Sequence, residues 1–90
     1  MNYKDLIKNG IDLARNGKFI EAENNFKKAI EKDSNLTDSY INLANIYIIQ
    51  KRIEESINLL NTYLINIFSI LHYHVHKLVL RSIRYLYFKN

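Results

Sequence analysis

The chain has no cysteine, no proline and no tryptophan, and among its 90 residues glycine occurs only at Gly10 and Gly17. Without thiols there is neither a disulfide framework nor a thiolate zinc site, so a reducing, cytoplasmic setting is expected. Without proline, helices meet no obligatory break, and the shortage of turn residues argues against a β fold; the expected class is all-α. The start, Met1-Asn2-Tyr3-Lys4-Asp5, leads into alternating charged and apolar residues and does not read as a secretory signal. Acidic residues are missing from one region only. None follows Glu55, whereas Lys77, Arg81, Arg84 and Lys89 carry the entire formal excess of +4. The chain therefore divides into a charge-balanced first part and a basic, apolar tail.

What is present is repetition with a period of 34 residues. Leu6 falls opposite Tyr40, Gly10 opposite Ala44, Leu13 opposite Tyr47, Phe19 opposite Ile53, Ala22 opposite Ser56 and Phe26 opposite Leu60. Small residues meet small ones and large apolar residues meet large ones. Within each unit the apolar positions recur at helical spacing on either side of a break, which predicts two helices per unit. Asn16-Gly17-Lys18 provides the first turn, and Gln50-Lys51-Arg52 replaces it in the second unit. Between the units, Lys32-Asp33-Ser34-Asn35 ends a helix, and Thr37 or Asp38 is the expected cap of the next. Short side chains at positions 10, 22, 29, 44 and 56 serve close helix approach, which places axes ~8–10 Å apart.

Residues 3–36 and 37–70 resemble two consecutive tetratricopeptide repeats, with Gly10, Leu13, Gly17, Phe19, Glu21, Ala22, Phe26, Ala29 and Asp33 as the best-matching stretch. The second unit departs from the pattern at Lys51 (glycine in the family), Tyr63 (alanine) and Phe68 (proline), and Ser34 replaces the first unit's proline. The resemblance implies antiparallel helix-turn-helix hairpins stacked as a short right-handed α-solenoid, with residues 71–90 forming a C-terminal capping or truncated helix. That tail is unusually apolar for a closing helix, with Ile83, Tyr85, Leu86, Tyr87 and Phe88 near its end. Three readings of it stay open: a capping helix that also mediates self-association, a chain cut short relative to a longer array, and a helix lying on a membrane surface. Ser56 to His76 contains no Asp, Glu, Lys or Arg, yet Asn58, Asn61, Thr62, Asn66 and three histidines make it a poor hydrocarbon span.

Catalytic and metal motifs are absent. Of His72, His74 and His76 only the first and last share a helical face, and two imidazoles leave a zinc ion underligated; no metal or other cofactor is expected. Glu54 and Glu55, like Glu21 and Glu23, sit where a helix begins and favour its positive end. No nucleophile elbow or phosphate-cradling loop is present, so the chain does not read as an enzyme. Arg81, Arg84, Tyr85, Tyr87 and Lys89 interleave basic and aromatic residues without any nucleic-acid module around them, which disfavours that partner.

Partner binding remains, and the resemblance implies where: a concave groove along the leading helices. The matching positions are Lys4, Ile7, Lys8, Ile11 and Arg15 in the first unit, and Asp38, Ile41, Asn42, Asn45, Ile48 and Ile49 in the second. The implied partner is a protein or peptide segment. Isoleucines would take its apolar anchors, Asn42 and Asn45 its backbone, and Lys8 and Arg15 its acidic side chains. Chaperone-binding members of the family hold a carboxylate terminus with lysine, asparagine and arginine. This chain keeps Asn42 but has Ile7, Ile11, His72 and His76 at the other places, which disfavours that ligand.

Overall fold

The computed structural model describes residues 1–33 and 35–89 and contains four helices: α1 (Tyr3–Arg15), α2 (Phe19–Lys32), α3 (Thr37–Ile49) and α4 (Ile53–Phe88). Ser34 and Asn90 lie outside the described residues, so the part of the inter-unit break read at Ser34 is not placed. The first three helices and the start of α4 form two antiparallel hairpins, with α2 packed on α3 between them. The particle measures 65 × 29 × 15 Å, its length set by α4.

Both intra-unit turns have the same geometry. After α1, the Lys18 amide donates to the Leu13 carbonyl at 2.9 Å and the Gly17 amide to the Ala14 carbonyl at 3.0 Å. After α3, the Arg52 amide donates to Tyr47 at 2.7 Å and the Lys51 amide to Ile48 at 2.9 Å. This is the double bond pair that satisfies the orphan carbonyls of a helix end, and it needs a left-handed residue after the cap. Gly17 supplies it at φ 76°, and Lys51 adopts φ 61° in its place. A lysine there bears roughly 1 kcal/mol of backbone strain that glycine would not.

The helix starts are less symmetric. Asn2 caps α1, its side-chain oxygen accepting from the Asp5 amide at 2.9 Å. The expected cap of α3 at Thr37 or Asp38 is not formed: Leu36 holds the cap position and contributes no side-chain bond. Thr37 is already inside the first turn, and its hydroxyl instead bonds the Tyr63 hydroxyl of α4 at 2.6 Å.

The core centres on Phe26, which is buried with Ala22, Leu43, Ile46 and Tyr47. The Phe26 ring lies against Gly10 so closely that a Cβ there would sit 2.7 Å from a ring carbon. Hence the small residue at position 10. Ala44 fills the equivalent place in the second unit, where the Ser56 hydroxyl donates to its carbonyl at 3.3 Å. Ser39 is fully buried, and its hydroxyl has no hydrogen-bond partner among the described residues.

The structure differs from the expected organisation after residue 70. No third helix starts at 71, because α4 runs unbroken for 36 residues, ~54 Å at 1.5 Å per residue. The cause is local. In the first unit, Asp33 accepts the Asn35 amide at 3.0 Å and so competes for backbone that a helix would use. Thirty-four residues on, Ile67-Phe68-Ser69 offers no carboxylate and no proline, so a helix already nucleated simply propagates. From Phe68 to Lys89 every described residue is exposed. Among the described residues, 71–88 therefore cap nothing, and Ile41, Ile48 and Ile49 of α3 are exposed.

Candidate binding groove

One face of α1 carries Lys4, Ile7, Lys8, Ile11 and Arg15 at successive helical turns. Ile7 and Ile11 are half-buried against the core, and the charged residues that flank them are exposed. Leu36 and Asp38, at the entry to α3, close one end. The result is an open cavity of about 610 Å³ lined by these residues together with Tyr3 and Asp12. Three cations face two carboxylates around it, giving a mildly positive rim over an apolar floor. Arg15 reaches Asp12 only at 4.0 Å on an exposed surface, a pair too solvated to neutralise either group.

Six of the expected groove positions, Lys4, Ile7, Lys8, Ile11, Arg15 and Asp38, thus come together in one cavity. Ile41, Asn42, Asn45 and Ile49 do not line it; they sit along α3 beyond Asp38. Ile41, Asn45 and Ile49 are exposed, while the Asn42 amide donates to the Asp38 carbonyl of its own helix at 2.8 Å, which commits one of its donors. Tyr3, Asp12 and Leu36 were not foreseen. Tyr3 and Asp12 each lie four residues from an expected member, Ile7 and Lys8, so helical spacing contains the signal; Leu36 comes from the loop and has none.

A polar cluster holds the second unit against the first. Glu23 of α2 receives Arg52 at 2.6 Å and Lys27 at 2.7 Å, and Arg52 also reaches Glu55 at 2.5 Å. The Arg52 guanidinium lies 4.5 Å from the centre of the Tyr47 ring, adding a cation–π contact. Arg52 beside it, with Lys27, holds the Glu23 carboxyl below its ordinary 4.5 against the opposing effect of burial. Arg52 likewise depresses Glu55, Glu23 raises Lys27, and burial raises Tyr47. Two carboxylates and two cations satisfy one another here, leaving no activated acid or base. This is a clamp between repeats. Among the described residues no group of three or more His, Cys, Asp or Glu is placed to hold a metal ion, and no helix is long and apolar enough to cross a membrane.

All-α hairpins joined by paired helix-end turns, a glycine packed under an aromatic ring and a groove along the leading helix define a helical-repeat scaffold. The family model for the tetratricopeptide repeat matches residues 13–66, and the chain belongs to that family. Comparison with curated proteins and with solved structures returned no match. Tetratricopeptide repeats are non-catalytic scaffolds that mediate protein–protein interaction.

Proposed function

We propose that the α1 groove holds an extended or helical segment of a partner protein, in the cytoplasm. The observation carrying this reading is the cavity itself, in which Ile7 and Ile11 form an apolar floor between Lys4, Lys8 and Arg15. A segment with one or two apolar anchors and an acidic flank fits that chemistry: the anchors supply affinity, and the rim charges supply orientation and rate. Ile41, Asn45 and Ile49 lengthen the surface along α3, and Asn42 contributes its amide oxygen. The lack of cysteine supports the cytoplasmic placement.

A displayed peptide library tests the reading. Selection on the natural chain should return apolar-acidic peptides that shift the amide resonances of residues 4–15. Lys8→Glu combined with Arg15→Glu should weaken them by about 10-fold with helicity intact, since two rim charges are each worth a fraction of a kcal/mol to about 1 kcal/mol. Selected peptides that ignore this reversal, or that perturb other faces only, would contradict the groove assignment.

A further inference from the structure

Along α4 an apolar side chain recurs in alternating steps of four and three residues from Ile53 through Ile57, Leu60, Leu64, Ile67 and Leu71. The same register continues through Leu78, Tyr85 and Phe88, with His74 and Arg81 at the intervening places. A mean spacing of 3.5 is the pattern of a helix that packs lengthwise on another helix. Yet the seam is open, its apolar members running from 37% exposed at Leu60 to 80% at Phe88, apart from the half-buried Ile67.

The first unit shows what belongs on this face. The positions 34 residues earlier than Ile53, Ile57, Leu60 and Leu64 are Phe19, Glu23, Phe26 and Ile30. Phe19, Phe26 and Ile30 pack into the cluster that includes Leu43, Ile46 and Tyr47 of α3, and Glu23 is bonded to Arg52 just beyond it. In the second unit no described helix plays the part of α3. Among the described residues, the apolar helical segment 71–88 is exposed throughout, and it continues away from the face it would cover.

We propose that the occupant is residues 71–88 of a second copy of this chain, paired antiparallel along α4 about a two-fold axis near Ile67–Leu71. Each copy's distal α4 then lies on the 53–67 face of the other, as α3 lies on α2. Charge selects this direction. From Ile53 onward all basic residues fall between Lys77 and Lys89, the last just past the end of α4, and the only acidic ones are Glu54 and Glu55. Antiparallel pairing brings opposite charges together at both ends, whereas parallel pairing sets four cations beside their own copies. The symmetric arrangement closes both seams at once, as an isologous contact does. Eleven seam positions per copy, each losing roughly 50 Å², remove on the order of 1,000 Å² from water, the size a stable interface requires. His74 and Arg81 interrupt the seam with polar groups, a device that fixes register in paired helices.

Sedimentation equilibrium of the full chain over micromolar concentrations, combined with cysteine cross-linking in this thiol-free background, tests the proposal. The expected result is a dimer that Leu64→Glu with Leu78→Glu weakens by at least about 30-fold, with helical circular dichroism of α1–α3 retained. For direction, Asn61→Cys mixed with Val75→Cys should give the mixed disulfide. Asn61→Cys linking mainly to itself would mean parallel pairing and overturn the proposal. A monomer at tens of micromolar, with or without co-sedimentation on anionic phosphatidylserine vesicles, would also overturn it; vesicle binding would assign the seam to a lipid surface instead.

Discussion

Equivalent positions of the two repeats meet opposite fates. Phe26 is 1% exposed and Leu60, its counterpart 34 residues on, is 37% exposed; Glu23 is clamped by two cations while Ile57 faces solvent. The side chains are of the same kind or more apolar in the second unit, so composition does not explain the difference. What differs is the helix that follows. α3 turns back over the first unit because Asp33 and Asn35 stop α2, and α4 has no such stop. A repeat of this kind cannot bury its second helix alone, and its stability is lent by the next helix along.

Breaking the covered unit should have the largest effect. Phe26→Ala removes the ring wedged between Gly10 and the α3 residues and should cost about 3–5 kcal/mol, enough to unfold so small a domain, whereas Phe68→Ala in the uncovered stretch should stay within about 0.5 kcal/mol for the monomer; chemical denaturation of both compares them directly. Next comes the clamp. Glu23→Gln should lower stability by about 1–2 kcal/mol at neutral pH, because a nearly buried charged acceptor for two cations is lost. The Glu23 carboxyl titrates lower in the folded chain than in the unfolded one, so its contribution is present above the ordinary value of 4.5 and vanishes as pH falls through the depressed folded value. Thermal melts between pH 6 and pH 3 should therefore show a shallower acid loss in Glu23→Gln than in the natural chain. The smallest effect sharpens the likeness of the units: Lys51→Gly should raise stability by about 0.5–1 kcal/mol, since it gives the second turn the residue the first one uses.

Much of the fold was legible because it is periodic. The spacing of Gly10 with Ala44 and of Phe26 with Leu60 gave the hairpins, and Gln50-Lys51-Arg52 was recognisable as a turn from its place alone, with only the left-handed lysine invisible. Half of the groove was legible for the same reason: Lys8, Ile11 and Arg15 follow one helical face. The clamp was not. Glu23 and Arg52 are 29 residues apart and belong to different units, so no local rule joins them, and both Glu23 and Glu55 read as ordinary helix-start acids. The caps misled for a physical reason too, as Thr37 had a tertiary partner in Tyr63 that outweighed its capping preference. The continuity of α4 depended on what is missing at Ile67-Phe68-Ser69, and the absence of a stop is a weaker signal than its presence.

The contrast between a self-covered repeat and one awaiting its cover is tested most directly by amide hydrogen exchange on the full chain at two concentrations, well below and well above dimer formation. The prediction is strong protection of α2 and α3 that does not change with concentration, and protection of residues 71–88 that is low in the dilute sample and rises in the concentrated one. Residues 71–88 as protected as α3 in the dilute monomer, or unprotected at every concentration, would contradict it.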